Sequence, residues 1–114
     1  MPQKQRDIII NNYNKAWIVK TDGTIEVATH GDGERFTLEE LQSMVDGYIE
    51  RHKLFRGLDE ERNMLYTIMV LNEDARMKGL PINNAAVSLW SYIKGYPIDL
   101  FGDVVVMPAK LFPK

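Results

Sequence analysis

The chain is organised around one stretch, Lys78-Gly79-Leu80-Pro81-Ile82-Asn83-Asn84-Ala85-Ala86. Pro81 disfavours helical geometry at Leu80, because its ring clashes with the residue before it. Asn83 or Asn84 can then cap a helix, since an asparagine side chain accepts a hydrogen bond from a free amide of the first helical turn. The stretch therefore predicts an extended segment that passes into a helix.

The segments around this stretch have the patterns of strands. Residues 15–20 and 24–28 are rich in β-forming residues and flank Asp22-Gly23, a tight-turn signal, so they predict a hairpin. Strand character resumes at residues 48–52. Residues 63–71 are nearly continuous in apolar side chains, which is typical of a strand covered on both faces.

One further helix has clear end signals. Thr37 and Glu40 have the spacing of a capping box, and Gly47 is placed to end the helix that follows. Residues 54–62 are charged and predict a solvated loop, whereas residues 102–107 predict a final strand.

These elements define an α+β fold. We expect a single domain over residues 15–107, with about five strands in a mainly antiparallel sheet and two helices packed on it. The triplet Ile8-Ile9-Ile10 makes residues 1–14 an N-terminal arm or an edge strand. Residues 108–114 are expected to form a tail on the surface.

Composition limits the classes of function. The chain has 114 residues, a formal net charge of -2 and a pI near 5.6, so it has no global field that would attract nucleic acid or an anionic membrane. A local basic patch remains compatible with these values. The lack of cysteine excludes disulfides and thiolate chemistry. No apolar run approaches the roughly 18 residues of a membrane span, so we expect no membrane partner.

Three short motifs follow one another in the chain: Gly47-Tyr48-Ile49-Glu50, then Asn72-Glu73 with residues 78–83 and Ala86, and finally Gly102-Asp103-Val104-Val105-Val106. In these motifs, over residues 15–107, the chain resembles a family of small bacteriophage and mobile-element proteins that is known only as a domain of unknown function. The resemblance implies a virus-encoded accessory protein that acts in the cytoplasm of a host cell. It implies no reaction.

Residues with catalytic or metal-binding patterns are scarce. His30 and His52 have no second ligand at metal-binding spacing, and the run Asp59-Glu60-Glu61 lacks the alternating ligands of a calcium loop. The three serines fall in predicted helices and outside any nucleophile motif. We therefore expect no catalytic residue, no metal and no cofactor, which indicates a non-enzymatic protein.

One segment is a candidate binding site. The helix after Pro81 presents free amides together with the side chains of Asn83 and Asn84, and the cations Arg76 and Lys78 lie close by in sequence. Such a set can hold a phosphate or another small anion. A base would stack on Tyr48, Tyr66 or Trp90. The alternative is that these residues only cap the helix, turn the chain and fill the core.

Two classes of function remain open. In the first, the protein is an anti-defence or host-takeover factor that binds a host protein or sequesters a nucleotide-like small molecule. In the second, it is a nucleic-acid-associated accessory factor, which the acidic pI disfavours. Its phosphate contacts would then be Lys4, Arg6, Lys15 and Lys20. Either class is compatible with a homodimer formed through residues 8–10 and the pair Leu111-Phe112.

Overall fold

A computed structural model describes residues 1–11, 14–31, 33–58, 61–62 and 64–114. Within these ranges five strands form one antiparallel sheet in the order β2-β1-β5-β4-β3. The α+β class and the mainly antiparallel sheet are therefore confirmed. The elements in chain order are α1 (Gln3–Ile10), β1 (Ala16–Val19), β2 (Ile25–Ala28), α2 (Leu38–Val45), β3 (Ile49–Leu58), β4 (Met64–Asn72), α3 (Asn84–Lys94), β5 (Val104–Pro108) and a 3-10 turn (Ala109–Leu111).

Helices cover both faces of the sheet. Successive residues of β5 pack on opposite faces of the sheet. Val104 and Val106 pack with α1 and α3, whereas Val105 packs with α2. Alternation of this kind follows from the two-residue period of a strand. Strand β4 lies between β5 and β3 and is buried from Thr67 onward, as the apolar run predicts.

The local end signals are confirmed in most cases. β1 and β2 form the expected hairpin, with Gly23 at a φ of 89° in its turn. Thr37 and Glu40 form both hydrogen bonds of the capping box of α2. Helix α2 ends one residue earlier than predicted, however, because Asp46 rather than Gly47 takes the left-handed conformation, at a φ of 63°.

The N-terminal segment differs from the prediction. Residues Gln3–Ile10 form α1 and not an edge strand, and Ile9 is only 2% exposed within the core that α3 also covers. The guanidinium of Arg6 stacks on the ring of Tyr92, 3.7 Å from its centroid. A free arm is therefore excluded too, and Ile9 is not available as a contact in a homodimer.

The third strand is longer than the sequence indicates. Residues 54–58, which we expected in a charged loop, continue β3, and residues 55–58 pair with β4. Lys53 lies opposite Ile68 and Phe55 lies opposite Thr67, so Leu54 is the extra residue of a β-bulge. Leu54 is buried with the core beneath α3, which explains why an apolar residue interrupts the charged sequence.

The C-terminal segment is tied to the domain more firmly than a surface tail. The carbonyl of Leu111 accepts a hydrogen bond from the Phe36 amide, and the carbonyl of Phe112 accepts one from the Arg35 guanidinium. Both side chains are half-buried against the core on the α2 side. A homodimer through these residues stays a prediction, since Ile8 is 41% exposed and Leu111 and Phe112 are only half-buried.

Candidate functional site

Asn83 is buried and hydrogen-bonded to the backbone within the fold. Its side chain is fully buried, and its amide nitrogen donates to the carbonyls of Val19 and Gly102, at 2.9 Å each. Its amide oxygen accepts the backbone N–H of Ala86, at 3.0 Å, and so caps α3. Both donor hydrogens and one acceptor position are occupied, which leaves no accessible group for a ligand.

Asn72 is likewise buried and hydrogen-bonded to the backbone. It is 1% exposed, and its amide nitrogen donates to the carbonyls of Val45 and Asp46 at the end of α2. Gly47 allows this close approach, because a β-carbon there would lie 2.7 Å from the Asn72 nitrogen. Lys78 donates to the Asp46 carbonyl from the solvent side, at 3.2 Å.

We call Gly47, Asn72, Lys78, Asn83 and Gly102 the asparagine junction. Gly102 belongs to it because its N–H donates to the Pro81 carbonyl and a β-carbon there would lie 2.9 Å from Leu80. The junction joins the end of α2, the turn after β4, the start of α3 and the start of β5. Each of the three motifs of the family resemblance contributes a residue to this junction, so the motifs contribute to the contacts between these elements.

The remaining predicted site residues are exposed near this junction. Asn84, Arg76 and Tyr48 all face solvent, and Tyr48 is 67% exposed. The groove beside the junction has a volume of about 200 Å³ and includes two carboxylates, Asp46 and Asp103, among its lining residues. An anion would meet these carboxylates as well as Lys78, so the groove is poorly suited to phosphate. Trp90 is 6% exposed and packs in the core, as the alternative interpretation expects.

A different surface gathers positive charge at the free edge of β3. Arg51, Lys53 and Arg56 lie opposite Val70, Ile68 and Tyr66 of β4. These three β4 residues alternate along the strand and therefore share one face of the sheet. The bulge at Leu54 places Arg56 on that face, since regular alternation after Lys53 would have placed Phe55 there.

A fourth cation approaches from the other side of the strand. Lys94, at the end of α3, lines the same groove as Lys53, Arg56 and Tyr66, which has a volume of about 360 Å³. A second groove, of about 270 Å³, shares Lys53 and Tyr66 with the first and extends to Arg51. We call Arg51, Lys53, Arg56 and Lys94 the basic strip.

Aromatic rings position three of these cations. The guanidinium carbon of Arg51 lies 4.7 Å from the centroid of the Phe112 ring, and Lys53 Nζ lies 5.0 Å from that of Tyr66. Lys94 Nζ lies 5.5 Å from the centroid of Trp90. Such cation–π contacts stabilise a charge without neutralising it.

The basic strip keeps its net charge. Ion pairs between described residues include Arg6–Asp7, Lys20–Glu26 and His52–Glu50, and none of these three includes a cation of the strip. The described residues that line its two grooves include no carboxylate. Two of the four cations expected to contact nucleic acid, Arg6 and Lys20, are engaged in these pairs instead.

Sequence reasoning missed the basic strip because it assigned residues 54–62 to a loop. The alternation of Arg51 and Lys53 was a usable signal, since it places two cations on one face of a strand. The register of Arg56 and the approach of Lys94 were not readable, because both depend on the bulge and on the packing of α3. Asp59 and Glu60, which belong to the predicted acidic run, lie outside the described residues.

The described residues include no group of three or more histidine, cysteine, aspartate or glutamate side chains that could hold a metal ion. No helix among them is long and apolar enough to cross a membrane.

The fold and the site together define a small α+β domain with a basic, aromatic-lined groove at the edge of its sheet. The chain belongs to the family described as Domain of unknown function (DUF3846), whose model matches residues 14–110. This match confirms the expected domain of unknown function, over almost the range that the motifs indicate. No curated protein and no solved structure matches the chain.

Proposed function

We propose that this protein is a non-enzymatic accessory factor that a bacteriophage or mobile element uses in the cytoplasm of its host, and that it acts by binding a phosphate-bearing, nucleotide-like ligand. Sequestering such a ligand would serve an anti-defence or host-takeover role. The observation that supports this proposal is the basic strip, where four cations flank grooves whose described lining includes no carboxylate.

The charge of the strip is local and contrasts with the rest of the chain. The whole chain has a formal net charge of -2, so cations concentrated at one edge are balanced by an excess of acid elsewhere. A local field of this kind can attract an anion even though the net charge of the chain is negative. The acidic pI therefore does not exclude a phosphate ligand.

The rings give the strip a second property that suits a nucleotide. Tyr66 lies in both grooves and supplies a π-face within reach of Lys53 and Arg56. A base can pack on an aromatic side chain while its phosphate contacts a neighbouring cation. We propose this arrangement as the binding site in place of the segment with Asn83, Asn84, Arg76, Lys78 and Tyr48.

Titration calorimetry with ATP and with inorganic phosphate tests the proposal. We expect ATP to bind, and we expect the double variant Lys53→Gln/Arg56→Gln to weaken its affinity at least tenfold, because two charge-assisted contacts are lost. The matched control is Arg76→Gln, which removes an exposed cation beside the asparagine junction and should leave the affinity unchanged.

Three results would contradict the proposal. The first is a lack of binding by ATP, by inorganic phosphate and by nucleic acid. The second is binding that the double variant does not change. The third is binding that Arg76→Gln removes, which would return the site to the asparagine junction.

A further inference from the structure

We infer that the ligand of the basic strip is a single-stranded nucleic acid that lies along β3, with its phosphates on the cations and its bases on the neighbouring rings. This inference rests on the proposed function and narrows it, since it names a chain of nucleotides where the proposal requires only a nucleotide-like ligand.

The length of the strip favours a chain of phosphates. Arg51 and Arg56 lie opposite Val70 and Tyr66, which are four residues apart on β4 and hence separated by about 13 Å. Lys53 lies between them on the same face. The cations follow the strand in a row, whereas a pocket for one phosphate group would have them converge on a point.

The strip also follows an open edge of the sheet. In the described sheet β3 pairs only with β4, so its outer backbone N–H and C=O groups remain available to a ligand. The opposite edge is different, because β2 has only four residues and its Glu26 binds Lys20. A polyanion would therefore distinguish between the two edges by charge.

Aromatic side chains lie on both sides of the β3 edge. Tyr66 and Phe112 are on the α2 side, each beside a cation of the strip. Tyr96, which is 53% exposed, packs edge-on against Trp90 on the α3 side, where Lys94 also lies. Alternating cations and rings are the combination by which proteins bind single strands, because bases stack on the rings while phosphates contact the charges.

A duplex would use only part of this surface. Its bases are already stacked on one another, so rings such as Tyr66 and Tyr96 would add nothing to its affinity. A single strand exposes its bases and can use both the rings and the cations. The strip therefore predicts a preference for single-stranded over double-stranded nucleic acid.

Fluorescence anisotropy with a labelled oligothymidylate of about 12 nucleotides tests this inference, since the single-strand sites of OB folds span roughly 4 to 16 nucleotides. We expect binding that is at least tenfold tighter than that of ATP and of a duplex of equal length. Affinity should fall with salt, with a slope of about -0.7 in log–log form for each cation that contacts a phosphate.

Two matched pairs of variants locate the contacts. Lys53→Gln/Arg56→Gln should make the salt slope shallower by about 1.4, whereas Arg76→Gln should leave it unchanged. Tyr66→Leu should weaken the oligonucleotide roughly fivefold or more with the salt slope preserved, because a stacking face is worth about 1–3 kcal/mol. Tyr48→Leu removes an exposed ring outside the strip and should have no effect.

The outcomes separate the inference from the proposed function. If ATP binds at the strip as tightly as the oligonucleotide, the proposed function stands and the inference is wrong. Equal affinity for the duplex, or a Tyr66→Leu variant with unchanged affinity, also overturns the inference. If neither ATP nor any nucleic acid binds, both fail, and the host-protein alternative takes their place.

Discussion

The asparagine junction and the basic strip are both polar, yet their polar groups are used in opposite ways. At the junction, Asn72 and Asn83 are buried and their hydrogen bonds are made within the chain. At the strip, Lys53 and Arg56 are exposed and line grooves whose described walls hold no carboxylate. Buried polar groups that satisfy one another stabilise a fold, whereas a row of like charges costs stability and can attract an anion.

The largest expected effect is at Asn83. Asn83→Ala leaves the Val19 and Gly102 carbonyls and the Ala86 amide without their partner, so it should lower the free energy of unfolding by about 4 kcal/mol. Asn84→Ala, at the adjacent exposed position, should stay within about 0.5 kcal/mol. Urea denaturation measures both.

The Asn83→Ser variant should have a stability between those of the wild type and Asn83→Ala. Its hydroxyl can still cap α3 but cannot replace both hydrogen bonds that Asn83 donates. The structural role of the junction would be contradicted if Asn83→Ala remained as stable as the wild type and instead lost phosphate binding. In that case the junction would be a binding site after all.

Two glycines near the junction differ in how closely a β-carbon would approach its neighbours. In Gly47→Ala the new β-carbon would lie 2.7 Å from the buried Asn72 nitrogen, so we expect a loss of about 3 kcal/mol. Gly79 also has a positive φ, of 70°, but a β-carbon there meets nothing within 4 Å. Gly79→Ala should therefore cost only about 1 kcal/mol of backbone strain. Equal losses in thermal denaturation would show that crowding at Asn72 is unimportant.

A smaller effect on stability, which depends on pH, is expected at the start of α2. Hydrogen bonds from the backbone N–H groups of Thr37 and Gly31 lower the pKa of Glu40 below its ordinary value of 4.5. Because the folded-state pKa is depressed, this contribution to stability is present above pH 4.5 and is lost as the pH falls through the folded value.

Glu40→Gln should therefore make the acid side of the stability curve shallower, as measured by thermal denaturation at a series of pH values. Glu39→Gln is the control, since Glu39 lies in the same helical turn but outside the capping box. An acid side that Glu40→Gln leaves as steep as in the wild type would argue against the pKa shift.

The smallest effect on stability should be at the basic strip itself. Arg56→Gln removes an exposed charge, so the free energy of unfolding should stay within about 0.5 kcal/mol while oligonucleotide affinity falls severalfold. Chemical denaturation and anisotropy on the same preparation measure the two quantities. A large loss of stability would mean that Arg56 belongs to the framework, and the contrast between the two regions would disappear.

Local signals predicted much of the fold. The capping box at Thr37, the Asp22-Gly23 hairpin and the cap by Asn83 or Asn84 depend on residues within a few positions of one another. All three form, the last of them through Asn83. The predictions failed where a distant contact decided the structure. Helix α1 packs Ile9 into the core beside α3, and β3 extends through Leu58 because β4 provides a partner for it.

The α+β class, the antiparallel sheet and the ends of several elements could be predicted from the sequence, since these follow from short-range propensity, capping and turn chemistry. The roles of the polar residues depend instead on the tertiary structure. Asn72 and Asn83 are buried against carbonyls that are distant in sequence, and one bulge in β3 places Arg56 on the same face as Lys53. Hydrogen-bond saturation and strand register depend on which segments meet across the sheet, and no local pattern contains that information.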